Sequence, residues 1–187
     1  PFVKFDFSGK YAHEQLQNLC TNNIKNIEGR TTYTQMLNPS GGIEADVTVS
    51  CLKKNYFRII CPALARSHNK SHILKNLNKR VKFVDVTEKY SCIGLFGPNS
   101  RKFLTELFGK YFSNEEFLFS RGKYLNIKNI KVWFQRLSFV GELGWEIYIP
   151  IKKTNIIFKK IKKLGIKYKL TYSGMHALDI LRLEKKF

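Results

Sequence analysis

Apolar and polar positions alternate from Phe2 to Phe7, with Val3, Phe5 and Phe7 set against Phe2, Lys4 and Asp6. A period of two is the signature of a half-buried strand. The period then lengthens. Leu16, Leu19 and Cys20 recur at helical spacing, which predicts a helix over residues 11–20, with Ser8 as its N-cap and Asn22-Asn23 as its stop. Residues 31–37 are rich in β-formers, and Asn38-Pro39-Ser40-Gly41-Gly42 reads as a turn. There the proline sets one φ and the two glycines permit positive φ. Alternation resumes over 43–52 and again over 56–61, across Lys53-Lys54-Asn55, so the three segments form a β-meander.

Further along, Ile73, Leu74 and Leu77 give a helix over 67–78, and 81–86 and 91–96 read as strands. Gly97-Pro98 breaks the second strand, and Asn99 or Ser100 caps a helix that runs to Phe108. Segments 130–139 and 145–149 read as strands around a turn at 141–144, followed by helices over 156–164 and 174–184. Several strand neighbours are joined by tight turns. The expected class is therefore α+β (mixed α/β), with mixed, antiparallel-rich sheets and packed helices. No linker, repeat or low-complexity segment divides the chain, which reads as one domain over 1–187.

Composition excludes a disordered chain: 187 residues, 43% hydrophobic and 14% aromatic, suffice for a sizeable core. The net charge of +19 raises nucleic acid or an anionic surface as a partner. However, the densest lysines, Lys152-Lys153, Lys159-Lys160 and Lys162-Lys163, alternate with Ile and Phe as on the wet face of an amphipathic helix. That spacing favours a solvated surface over a nucleic-acid patch. Cys20, Cys51, Cys61 and Cys92 form no CxxC pair and no zinc spacing. Their apolar neighbours predict buried free thiols and a reducing compartment. No apolar run approaches the roughly 20 residues of a membrane span. The chain begins at Pro1 and stops at Phe187 inside a helix-like pattern, and both ends read as cuts in a longer protein.

Three segments carry candidate chemistry. After the Gly41-Gly42 turn, Glu44 and Asp46 share one face of a strand, and Ile43, Ala45, Val47 and Val49 take the other. An acid there can look into a cleft, although spacing alone favours a plain solvent-exposed strand face. In Ser138–Glu146, Gly141 and Gly144 frame a turn, and Trp145 and Glu146 follow it. A carboxylate beside an aromatic suits an aminopterin-like ring, whose N–C–N edge presents paired donors. The simpler alternative is a hairpin turn with a packed Trp. In the last helix, Asp179 and Arg182 are spaced to pair with each other, and His176 reads as a capping or surface residue. No dinucleotide, P-loop or zinc-protease motif is present.

Taken together, these segments resemble a known family. Thr32 to Val49 resembles the folate-domain signature of dimethylglycine and sarcosine dehydrogenases, Leu95 to Arg101 their "GPxSR" turn, Ser138 to Ile149 their "SYVGELGWELYVP" segment, and Ala177 to Lys185 their "ALDSLRLEKG" helix. The order and rough spacing agree over nearly the whole chain. The resemblance implies the folate-binding fold shared with the glycine-cleavage T-protein (aminomethyltransferase). It also implies a one-carbon transferase activity in which tetrahydrofolate yields 5,10-methylenetetrahydrofolate. The family's essential aspartate falls on Asp46, its pterin-holding carboxylate on Glu146, and a folate-lining side chain on Tyr33. The one-carbon donor would be an N-methyl amino acid, or its iminium, oxidised by an FAD domain upstream of this segment. A small barrel domain normally follows. No nucleic-acid, membrane or metal partner is implied, and the setting would be cytoplasmic, or the mitochondrial matrix in a eukaryote.

Departures from the T-protein pattern refine this. Leu178 stands where T-proteins carry a folate-contacting arginine, and Ala45 where they carry a first aspartate; both favour the dehydrogenase branch. Pro62 replaces a pocket asparagine, and Lys186 replaces the glycine after "LEK". The same fold also serves in non-catalytic folate or regulatory modules, against which the retained Asp46 argues.

Overall fold

The computed structural model describes residues 2–186. They form two compact units, one ending at Lys89 and the other beginning at Tyr90. The first contains β1 (Phe2–Ser8), α1 (Ala12–Leu19), β2 (Thr31–Leu37), β3 (Ile43–Lys53), β4 (Tyr56–Pro62), α2 (Arg66–Lys75) and β5 (Lys82–Asp85). Its five strands form one sheet in the order β2-β3-β4-β1-β5. The alternation read from the sequence sorts its two faces. Val3, Phe5, Phe7, Val47, Val49, Phe57 and Ile59 pack with Ala12, Leu16 and Leu19 of α1 and Ile73 of α2.

The opposite face of this sheet is polar and in part deeply buried. Asp6 and Arg58 are cross-strand partners. Arg58 Nε donates to Asp6 Oδ1 at 2.7 Å and its terminal nitrogen to Oδ2 at 2.9 Å, and the Tyr56 hydroxyl adds a third bond to Oδ2 at 2.6 Å. Three donors thus hold the Asp6 carboxylate, as a buried charge requires. Beside this group, the hydroxyls of Thr31 and Ser50 lie 3.2 Å apart.

The second unit contains β6 (Tyr90–Phe96), α3 (Ser100–Phe108), β7 (Arg121–Ile127), β8 (Ile130–Arg136), β9 (Gly144–Pro150), α4 (Thr154–Gly165) and α5 (Met175–Glu184). Its sheet runs β6-β9-β8-β7. Leu95, Val132, Phe134, Trp145, Ile147 and Ile149 face Phe103 and Leu104 of α3 and Ile157 and Ile161 of α4. On α4, Lys159, Lys162 and Lys163 are exposed and Lys160 is half-buried around that buried stripe, much as the spacing predicts.

Several expectations need correction. Ser8 is not a helix N-cap: it is held in the strand ladder opposite Tyr56 and Lys82, and Tyr11 occupies the cap position without a side-chain bond. Asn99 takes the cap position of α3 but makes no cap bond, while Ser100 Oγ donates to Gly97 O at 2.7 Å. β8 ends at Arg136 rather than 139, and β7 was not foreseen. Lys128 and Asn129, both at positive φ, turn β7 into β8 as a tight hairpin. Every pairing between the named strands is antiparallel; short turns join β2 to β3, β3 to β4 and β7 to β8, whereas β1 meets β4 and β5, and β6 meets β9, through longer connections that carry helices or strands. All four cysteines are free, with Cys20, Cys51 and Cys61 buried and Cys92 half-buried. Among the described residues, no helix is long and apolar enough to cross a membrane.

Candidate functional site

In the first unit, β2 and β3 pair so that Gln35 lies opposite Asp46 and Tyr33 opposite Thr48. Tyr33 OH donates to Asp46 Oδ2 at 2.7 Å, and Gln35 Nε2 to Oδ1 at 3.1 Å. Each carboxylate oxygen thus holds one neutral donor and keeps acceptor capacity for another. Asp46 is exposed, as is the Tyr33 ring at 58%. The Asp46 hydrogen bond, with some burial, holds the Tyr33 phenol above its ordinary pKa.

Glu44 shares this strand face with Asp46 but is differently tied. Asn38 Nδ2 donates to Glu44 Oε1 at 3.2 Å, and His68 Nε2 of α2 lies 2.8 Å from Oε2. The Asn38 bond first, then His68, hold the Glu44 carboxyl below the usual range. The turn at 38–42 is built around Asn38 Oδ1, which accepts from Ser40 N at 3.0 Å and Gly42 N at 2.9 Å. Only Gly41 has positive φ. Gly42 is needed for another reason: a Cβ there would come within 2.9 Å of the Asn38 side-chain nitrogen. Ile43 does not join the core as expected; at 69% exposure it stands at the turn end of the hairpin, opposite Leu37.

In the second unit, Glu146 of β9 lies opposite Gln135 of β8 and Gly94 of β6. Its neighbour Trp145 does not share its face. Successive strand side chains point to opposite sides, and Trp145 is fully buried among the core aromatics, flanked by the Arg101 and Arg136 guanidiniums at 5.4 and 5.7 Å. The aromatics beside Glu146 are Trp133 and Tyr148. Tyr148 OH donates to Glu146 Oε2 at 2.6 Å, Gln135 Nε2 to the same oxygen at 2.7 Å, and Trp133 Nε1 to Gln135 Oε1 at 3.0 Å. Burial pushes the Glu146 carboxyl up, and the Tyr148 and Gln135 bonds work against that rise. Burial also drives the Tyr148 phenol upward.

The family described as GCVT N-terminal domain matches residues 1–187. The chain belongs to this family. It is 34% identical over 203 residues to human mitochondrial sarcosine dehydrogenase and 32% identical over 190 residues to rat mitochondrial dimethylglycine dehydrogenase. Each alignment takes in 100% of this chain but only 22% of the relative. Among solved structures, the glycine cleavage system aminomethyltransferase T from Bartonella henselae superposes with a TM-score of 0.85 at 21% identity, over 100% of this chain and 49% of that one. That likeness supports the fold.

Of the three residues singled out from the sequence of this GCVT N-terminal domain, Tyr33 and Asp46 meet directly, and Glu146 belongs to the other unit with its own partners. Sequence reading missed Gln35, Gln135, Trp133 and Tyr148. The i, i+2 spacing of Glu146 and Tyr148 and of Trp133 and Gln135 was visible, but the β8–β9 register that joins the two pairs was not. Asp179 and Arg182 form the expected helical pair at 3.2 Å, and His176 is exposed.

Proposed function

We propose that this GCVT N-terminal domain binds tetrahydrofolate and loads onto it the one-carbon unit of an oxidised N-methyl amino acid, giving 5,10-methylenetetrahydrofolate. The observation that carries the reading is Glu146. It is a nearly buried carboxylate whose protein hydrogen bonds, among the described residues, all fall on Oε2. Oε1 therefore remains to accept from the paired N–H donors on a pterin edge, and a charge-assisted bond of that kind is both strong and orienting. The donor chemistry of the ring and the acceptor chemistry of the site fit.

Tetrahydrofolate supplies two ring-side amines that carry the one-carbon unit. An amine that forms a new C–N bond must lose a proton, and Asp46 is an exposed carboxylate already oriented by Tyr33 and Gln35. Tyr33 would also line the folate site with its exposed ring. Holding the folate bound would supply proximity to the incoming carbon. The flavin-dependent oxidation would belong to other parts of the protein, and no residue of this chain is assigned to FAD. The substrate partner would be a dimethylglycine- or sarcosine-type amine or its iminium. The names of the two dehydrogenases support a mitochondrial setting.

Calorimetry tests the binding half of this reading. Glu146→Ala should weaken tetrahydrofolate by about 1–3 kcal/mol, the cost of an unmade charged hydrogen bond. Equal affinity in the variant would remove Glu146 from the site.

A further inference from the structure

The Glu146 network has a fixed direction. Amide orientation in a Gln is ordinarily open to a flip, but an indole N–H can only donate. The contact of Trp133 Nε1 with Gln135 Oε1 therefore turns the amide NH2 of Gln135 toward Glu146. An ionised carboxylate can only accept, so Tyr148 OH must donate to it as well. Both donors converge on Oε2. A proton on Oε2 would have to displace one of these donors, so Oε1 is the oxygen that takes up a proton at least cost, and the proton turns that atom from acceptor to donor. The supporting side chains are rigidly held: Gln135 and Tyr148 are 0% exposed and Trp133 is 1% exposed, whereas Glu146 reaches 8%. The strand opposite reinforces this, since a Cβ at Gly122, the partner of Gln135, would lie 2.3 Å from the Trp133 ring.

We propose that Gln135 and Tyr148, with Trp133 behind Gln135, are positioning residues that keep Glu146 an acceptor and present Oε1 to a ring edge bearing N–H donors. This rests on the folate reading given above and adds a specificity rule to it. Heterocycles with an amino or imino N–H donor at that edge are taken, and analogues with a hydrogen or carbonyl in its place are rejected, because an unmet buried acceptor costs more than a missing contact. The neighbouring strands present Gly94 and Cys92 from β6, Gly122 and Tyr124 from β7, and Gln135 and Trp133 from β8. Cys92, Tyr124 and Tyr148 are thus the titratable neighbours, and no charged side chain figures among the causes of the Glu146 shift. Tyr148 and Gln135 oppose the rise caused by burial. Removing either should therefore move the loss of binding, as pH falls, to a higher pH.

The test is the affinity of the full protein for 5-formyltetrahydrofolate, a stable reduced folate, followed between pH 5 and 8 for wild type, Tyr148→Phe, Gln135→Leu and Glu146→Gln. Tyr148→Phe deletes one hydroxyl and serves as the gentle variant should Gln135→Leu fold poorly. We expect about tenfold weaker binding at pH 8 for each positioning variant, the weight of a hydrogen bond to a charged group. The pH inflection should shift upward in both and be absent in Glu146→Gln. An unshifted inflection and undiminished affinity in Tyr148→Phe and Gln135→Leu, with binding weakened in Glu146→Gln, would overturn the positioning role and leave the folate site standing. Undiminished binding in Glu146→Gln would overturn both.

Discussion

Replacing Arg58 by Met leaves Asp6 under the first sheet with Tyr56 as its remaining side-chain donor. The wild-type pair is almost wholly enclosed, with side-chain exposures of 1% for Arg58 and 7% for Asp6, and it is bidentate at 2.7 and 2.9 Å. Removing one member of such a pair strands a charge and costs about 3–5 kcal/mol. Replacing both members, as in Asp6→Leu with Arg58→Met, removes the charge altogether. The change also removes the bond from the Tyr56 hydroxyl to Asp6, a loss of about 1 kcal/mol. The double variant should therefore be more stable than the single one. Because the protein forms two units, the reporter should be local, namely native-state hydrogen exchange at the amides of β1 and β4. Arg58→Met should speed exchange there by at least ~10²-fold, and the double variant should recover most of that protection. A single variant that costs under ~1 kcal/mol, or a double variant worse than the single, would refute the reasoning that this pair is a satisfied buried charge.

Other consequences follow from groups already described. The Glu146 carboxyl is raised above its ordinary value of 4.5 by burial, so the folded state binds its proton more tightly than the unfolded chain. Its contribution is therefore most favourable below that value and is lost as pH rises through the folded-state pKa. Glu146→Gln should flatten this slope and raise thermal stability at pH 7, and a lower melting temperature there would contradict the assignment. Burial pushes the thiols of Cys20 and Cys51 to about 12 and about 11. Both should resist iodoacetamide at pH 8 in the folded protein, while half-buried Cys92 is modified first, as read by peptide mass spectrometry.

Much of the fold could be read from the sequence, because burial follows periodicity. Residues 31–37 appear as β2 over the same span, and the alternation after Gly42 correctly sets Asp46 outward and Val47 inward. β7 escaped because its turn, Lys128-Asn129, lacks glycine, and left-handed conformations at two non-glycine residues leave little mark on composition. Ser8 misled because a hydroxyl before a helix is a good cap only if no strand claims the residue first. The candidate site was legible as single residues and not as an arrangement. Motif resemblance brought out Asp46, Tyr33 and Glu146, yet the phenol–carboxylate contact depends on the register of β2 against β3. The pairing of Trp145 with Glu146 failed because adjacent strand residues face opposite ways. The aromatics that do accompany Glu146, Trp133 and Tyr148, come from a neighbouring strand and from two positions along its own.

The most direct measurement follows a labelled methyl carbon through the whole protein. An N-methyl amino acid carrying the label would be oxidised with tetrahydrofolate saturating, and the carbon would be counted in 5,10-methylenetetrahydrofolate and in free formaldehyde. Asp46→Asn keeps the shape at the end of the Tyr33 and Gln35 bonds but removes the proton acceptor. The account predicts that amine oxidation continues, labelled methylenetetrahydrofolate falls by roughly 10²–10⁴, the weight of a positioned acid–base group, and formaldehyde rises to match. An unchanged yield of labelled methylenetetrahydrofolate in Asp46→Asn would contradict it.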